Sequence, residues 1–216
     1  KERKLSRSLR SAAEENGELL REIHHRVKNN LQLMLSLLRL EQSEADSEGE
    51  QEALSAAENR FTALALSYSF LDRIGGKLLV RFDEVLRSMT GQVHERTRGP
   101  LICDTRLDAV TLGLEKAVPL SLLVSEILEE CEKAVAAERA RKDTVKITVT
   151  LKKSSEAVEV SIYGDPLTPS SQSPWVKTTV GKGIGLQIIH SLADQLNASV
   201  DLYPKDGTYV SARIPL

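Results

Sequence analysis

The first third of the chain repeats apolar residues at helical spacing, and no proline occurs before Pro100. Successive apolar residues are mostly three or four positions apart, the period of a helix with one buried stripe. The stripe of the first helix comprises Leu5, Leu9, Ala12, Leu19, Ile23, Val27, Leu31, Met34 and Leu38. The acidic segment 41–52 predicts a turn, and a second helix is predicted over residues 53–71. The glycines of segment 74–77 are expected to end that helix.

Two helices that each have one apolar stripe bury those stripes poorly in isolation. The same two helices from a second chain would complete a four-helix bundle, so the pattern predicts a homodimer. The alternative is a helical hairpin that packs on the remainder of its own chain.

The remainder of the chain alternates period-two strands with amphipathic helices, which predicts an α+β fold with helices on one face of a mixed sheet. Strands are predicted at 77–82, 101–107, 110–114, 144–153, 157–164, 198–204 and 208–216, and helices at 82–94, 119–140 and 183–197. The segment between Asp165 and Val180 is rich in proline, serine and threonine and is expected to be a loop.

Composition argues against several classes of protein. Lys and Arg number 29 against 31 Asp and Glu, a net charge of −2, which disfavours a nucleic-acid binder held by bulk positive charge. No apolar run reaches the roughly 18 residues that a membrane span needs. Cys103 and Cys131 lack the spacing of metal ligands and fit a reducing cytoplasm. We therefore expect a cytoplasmic protein with no metal site of its own.

Residues 19–32, LLREIHHRVKNNLQ, place two adjacent histidines on the first helix. At about 100° per residue, His24 lies on the flank of the apolar stripe and His25 points to solvent. A neutral imidazole is nucleophilic near pH 7. Glu22 is placed to orient the ring or accept its proton, while Arg26 and Lys28 are placed to offset phosphoryl charge. The same pattern also fits an ordinary solvated helix face.

The stretch EIHHRVKNNLQ resembles the phosphoacceptor box of bacterial two-component sensor histidine kinases of the HWE-like and second HisKA subfamily. The shared core H-R-V-K-N implies that His25 is the phosphoacceptor. The stretches SFLDR, PL-x-LL-x-SEIL, VEVSI and G-x-G-x-G and the closing hairpin follow in that family's order.

The resemblance implies two domains. Residues 1–75 would form a dimerisation and histidine phosphotransfer domain, a two-helix hairpin that builds a dimeric four-helix bundle. Residues 78–216 would form a catalytic and ATP-binding-like domain, an α/β sandwich of the GHKL type. The implied partner is a response-regulator receiver domain. It would dock along the first helix below His25, on Asn29, Gln32, Leu33 and Ser36.

The first nucleotide motif of the family, E-L-x-x-N-A-x-K-H on a helix, is incomplete here. Glu126 and Lys133 are retained, but Glu130 stands where the family has the asparagine that coordinates magnesium. Ala134 stands in the histidine position. Three added carboxylates on this helix would repel phosphates unless a metal intervenes.

The second motif is also incomplete, whereas the third is kept. Gly164 occupies the position of the aspartate that accepts the adenine amino group, and it has no acceptor side chain. Gly181, Gly183 and Gly185 lead into a helix, and such glycines let backbone amides approach a phosphate.

Three functions remain open from the sequence. The first is a histidine phosphotransferase in which His25 passes a phosphoryl group between receiver aspartates. The second is an autokinase that uses ATP and magnesium, with Glu126 as general base and with Lys133 and the glycines Gly181, Gly183 and Gly185 holding the triphosphate. The third is a dimeric adaptor whose His25 is never phosphorylated.

Overall fold

The computed structural model describes residues 2–97, 101–138, 145–165, 184–202 and 208–216. The chain divides into two compact units, residues 1–69 and 70–216. Among the helices that these residues form, none combines the length and the apolar character that crossing a bilayer requires.

The first unit is a helical hairpin of α1 (Glu2–Glu44) and α2 (Glu48–Ser69). The turn between them is shorter than the sequence predicts, because Ser47 caps α2. Its hydroxyl accepts a hydrogen bond from the Glu50 amide at 3.2 Å, and the Glu50 carboxylate accepts one from the Asp46 amide at 3.3 Å. This reciprocal arrangement belongs to the Ser-x-x-Glu helix start, and acidic side chains favour a helix N-terminus.

Many apolar side chains of α1 are exposed within one chain. Leu31 is the one buried side chain among those described in this helix. Seven large apolar residues of α1 are each 45% to 61% exposed, namely Leu19, Leu20, Ile23, Leu33, Met34, Leu37 and Leu40. Contact with α2 alone therefore leaves these seven side chains largely in water.

The second unit begins with a small antiparallel sheet in the order β1-β2-β4, formed by β1 (Leu71–Ile74), β2 (Lys77–Arg81) and β4 (Thr111–Leu112). The glycines of segment 74–77 were expected to end a helix, and this expectation is wrong. Gly75 and Gly76 have φ values of 59° and 83° and form the two-residue turn between β1 and β2. The units consequently separate at residue 69, a few residues before the expected boundary.

The rest of the unit consists of three helices and a five-stranded mixed sheet, whose strands lie in the order β3-β5-β6-β8-β7. Its strands are β3 (Leu101–Leu107), β5 (Val145–Lys153), β6 (Ala157–Asp165), β7 (Ser199–Leu202) and β8 (Thr208–Pro215). Strand β3 runs parallel to β5, and the other pairs are antiparallel. The helices are α3 (Phe82–Thr97), α4 (Leu114–Glu138) and α5 (Ile184–Leu196). The predicted α+β class is confirmed.

One face of this sheet is apolar and buried. Val149 lies opposite Ile162, and Ile162 lies opposite Val210; all three are at most 2% exposed. The side chains of Leu123 and Ile127 from α4 are equally buried. Each such side chain contributes roughly 1.5–3 kcal/mol when it leaves water. Because side chains alternate along a strand, Thr150 and Ser161 lie on the opposite, polar face.

The turn between β1 and β2 makes a testable prediction. Gly76→Ala should destabilise the protein by about 1 kcal/mol, because a side chain at positive φ is strained even in open space. Gly91→Ala is the matched control; Gly91 lies within α3, also in open space, and the change should stabilise the helix by about 0.5 kcal/mol. Urea unfolding followed by circular dichroism measures both, and equal effects would contradict the strain argument.

Candidate functional site

The histidine pair lies on α1, and the two rings have different surroundings. His24 is half-buried, and its ring meets Tyr68 of α2 edge-on, with 5.9 Å between ring centroids and 72° between ring planes. Nδ1 of His24 is buried without a hydrogen-bond partner. Burial, and then the neighbouring His25, lower the pKa of His24 below its usual 6.5.

His25 is exposed, as the helical geometry predicts, and Asn29 and Gln32 are exposed on the same helix. The predicted role of Glu22 as a partner of His25 is not supported. The Glu22 carboxylate accepts a hydrogen bond from Arg26 Nε at 2.7 Å, one turn along the helix. Among the described residues, no hydrogen bond joins Glu22 to His25.

Two carboxylates of α4 lie against the start of α5. A Cβ built on Gly185 would lie 3.3 Å from Oε2 of Glu126 and 3.8 Å from Oε1 of Glu130. Glu126 is only 3% exposed. The first amides of a helix are the positive end of its dipole, so negative side chains stabilise this position. The structure therefore brings together three of the residues that the nucleotide motifs single out.

The other residues of those motifs are described only in part. The side chain of Lys133 and the glycines Gly181 and Gly183 lie outside the described residues. The backbone register pairs Gly164 with Ile147, on the apolar side of the sheet, as the alternation predicts. The pairing of β5 with β6 has no shift that would bring Asp165 into that position.

This arrangement does not fit a magnesium–triphosphate complex of the family's kind. Gly164 offers no carboxylate to an adenine amino group. Glu130 places a negative oxygen beside Gly185, where phosphate oxygens would have to approach the backbone. Among the residues that the structure describes, no group of three or more His, Cys, Asp or Glu side chains is arranged to hold a metal ion.

A separate concavity of about 540 Å³ lies on the polar face of the five-stranded sheet. Its lining includes Arg106, Thr148, Thr150, Lys152 and Tyr163. The register places Thr148 and Thr150 on the face opposite that of Gly164, so this concavity is distinct from the position of the nucleotide motifs.

Comparison with known proteins shows which proteins the chain resembles. Residues 22–97 match the sequence family HisKA_2, described as histidine kinase. The chain is 28% identical over 213 residues to "Blue-light-activated histidine kinase 2" of Erythrobacter litoralis, which covers 94% of this chain and 59% of that protein. It is 26% identical over 204 residues to "Sensor histidine kinase PdtaS" of Mycolicibacterium smegmatis, which covers 91% of this chain and 39% of that protein.

The fold agrees with these matches. The solved histidine kinase domain of the Erythrobacter litoralis EL346 blue-light activated histidine kinase superposes with a TM-score of 0.63 at 25% identity. The superposition covers 90% of this chain and 92% of that one. The chain thus has the two-part architecture of a histidine kinase domain, and the predicted resemblance to the HWE-like and second HisKA subfamily is confirmed. It spans little more than half of the first relative and less than half of the second.

Sequence reasoning missed Tyr68. Its position in α2 has no local signature, because only the pairing of α1 with α2 brings it to His24. The opposite assignments of the two histidines, His24 on the flank and His25 outward, follow from helical periodicity alone.

The lowered pKa of His24 predicts that the stability of the folded protein depends on pH. Because its pKa is lowered in the folded state, the unfolded chain binds more protons, so stability falls as pH drops below about 6.5. His24→Phe keeps an aromatic ring and removes the titration. Between about pH 7.5 and 5.5 the melting temperature of the wild type should therefore fall further than that of His24→Phe.

Tyr68→Phe is the control for this measurement. It keeps the ring contact and should retain the pH dependence of the wild type. Melting curves that run parallel for wild type and His24→Phe would contradict the assignment.

Proposed function

We propose that the chain acts in two-component signalling as a histidine phosphotransferase. His25 takes a phosphoryl group from the aspartyl phosphate of one receiver domain and gives it to the aspartate of another. A nitrogen of the imidazole attacks phosphorus, the P–O bond of the acyl phosphate breaks, and the receiver carboxylate leaves. The imidazole proton passes to solvent. Attack on phosphorus by the carboxylate of a second receiver then breaks the P–N bond, and the released imidazole takes back a proton from solvent, which restores His25.

The observation that carries this proposal is the acidic pair at the start of α5. Glu126 and Glu130 have oxygens within 4 Å of the position a Gly185 side chain would take, at the helix end that would otherwise favour an anion. A triphosphate entering here would meet two negative groups in a partly desolvated position, where charge repulsion is strong. Transfer between receivers avoids this problem, because it needs no nucleotide.

The surroundings of His25 suit such a transfer. The ring is exposed on a continuous helix, and the cation Lys28 lies less than one turn away. A positively charged neighbour offsets the phosphoryl group during transfer. Phosphoryl transfer depends mainly on positioning and charge compensation, and a receiver would bring its own magnesium and aspartate. We place the receiver on the exposed residues Asn29, Gln32, Leu33 and Ser36.

We further propose that the chain works as a homodimer. The seven exposed apolar residues of α1 named above form a patch that a second copy would cover in a four-helix bundle. The 1–69 unit is then the dimerisation and phosphotransfer domain, and the 70–216 unit serves as scaffold or docking surface.

A second candidate, an ATP-dependent autokinase, is favoured by one observation. Glu126 is buried and close to Gly185, which is where a general base beside a bound triphosphate would have to lie. Lys133, Gly181 and Gly183 complete that candidate site by resemblance. ATP would supply the phosphoryl group, and magnesium would offset its charge.

Phosphoryl transfer to His25 is directly testable. Receiver domains charged with radiolabelled acetyl phosphate should give the wild type a label that is stable in base and lost in acid. His25→Ala should reduce this label to background, because it removes the accepting nitrogen. His94→Ala is the control, since His94 is an exposed histidine of the second unit, and it should be labelled like the wild type. Equal label on His25→Ala would contradict the proposal.

Nucleotide binding separates the two candidates. Calorimetry with ATP and magnesium should show no measurable binding to the wild type, whereas Glu130→Asn, which removes one of the two carboxylates beside Gly185, should bind measurably. Glu129→Asn is the control, because Glu129 has no atom close to the Gly185 position. Label transferred from ATP to His25 of the wild type would establish the autokinase instead.

A further inference from the structure

The turn of α1 that presents His25 is held by few contacts. Ile23, two residues earlier, is 53% exposed, and the one buried side chain described in this helix, Leu31, lies almost two turns further along. The ion pair that joins α1 to α2, between Arg39 and Glu58 at 2.7 Å, is about four turns away. Among the α1 side chains that the structure describes, His24 makes a defined contact with α2, through Tyr68, one residue away from the acceptor.

This link has a defined geometry. The two rings meet edge to face, with centroids 5.9 Å apart, which is a preferred arrangement of aromatic pairs. Nδ1 of His24 is buried and unpartnered, so the ring's proton belongs on Nε2 and the ring is neutral. Turning the ring or charging it would bury an unpaired N–H group. The surroundings of His24 thus favour one ring orientation and the neutral ring.

Few charged side chains are described near the contact between His24 and Tyr68. Residues 61–69 of α2 include no Asp, Glu, Lys or Arg. On α1, Glu22 and Arg26 are paired with each other, which leaves Lys28 and His25 as the other ionisable groups described within a turn or so of His24. The link is consequently a ring contact and not an ion pair, and another aromatic ring can replace it.

We propose that His24 is a positioning residue for His25. Its ring, packed on Tyr68, sets the rotation of α1 about its own axis and so fixes the direction in which the next residue presents its imidazole. This inference rests on the proposed function of His25 as a phosphoacceptor. A receiver approaches along one direction, and displacements of about 1 Å can slow a positioned reaction by up to a hundredfold.

Four variants of the full chain test the proposal. His24→Ala and Tyr68→Leu remove the ring contact, whereas His24→Phe and Tyr68→Phe keep it. Transfer from a phosphorylated receiver domain to His25 should slow by at least about fivefold in the first pair and stay within about twofold of wild type in the second. Labelling of His25 by phosphoramidate should be within about twofold in all four, because a small donor can approach from any direction.

A second readout is independent of transfer. Nitrogen chemical shifts of the His24 ring should show the Nε2–H tautomer in the wild type and in Tyr68→Phe. In Tyr68→Leu they should move towards a tautomer mixture, because Nδ1 becomes accessible to water. Folding of each variant is followed by its helical circular dichroism and melting temperature, so that a rate lost through unfolding is recognised by a loss of helical signal at the assay temperature.

The outcomes separate the two proposals. Normal receiver transfer in His24→Ala, or failure of His24→Phe to restore it, overturns the positioning role alone. A wild type that phosphoramidate labels but no phosphorylated receiver does overturns the phosphotransferase, and the positioning role falls with it. A protonated Nδ1 in the wild type at neutral pH overturns the structural basis of the link.

Discussion

Burial of one apolar sheet face is the constraint on which the second unit depends. Every second residue of β5, β6 and β8 must face the helices, and the register joins Val149, Ile162 and Val210 into one buried row. The same alternation puts Gly164 on that side and Thr150 on the other. Burial of the apolar side chains on one face of the sheet therefore determines which strand residues lie on the other face.

The two units differ in how completely they bury their apolar side chains, and this difference matches their proposed roles. The second unit has side chains at or near zero exposure in its helices and its sheet. The first unit leaves a row of leucines on α1 in water, and next to His25 the ring of His24 meets Tyr68 of α2. The proposed contacts of α1 with a second copy and with a receiver need an accessible surface, which tight packing within its own chain would remove.

Local sequence signals predicted most elements and failed where two signals competed. The acidic segment 41–52 was interpreted as a turn, but Ser47 and Glu50 start α2 inside it. The paired glycines after Ile74 fit a helix end equally well, and only the strand partner Lys77–Arg81 shows that they form a hairpin. The helix predicted to start at Pro119 instead begins at Leu114, so Pro119 lies inside α4, where it removes one backbone hydrogen bond that the packing of the helix has to offset.

Helical periodicity by itself determined that His25 faces outward and that His24 lies on the flank, because rotation per residue is a property of the helix alone. Strand alternation likewise determined the face of Gly164. Only the tertiary structure decided that Tyr68 meets the ring of His24 and that Glu126 and Glu130 lie beside Gly185. Those contacts join residues that are distant in sequence or that choose among several partners, and side-chain packing makes that choice.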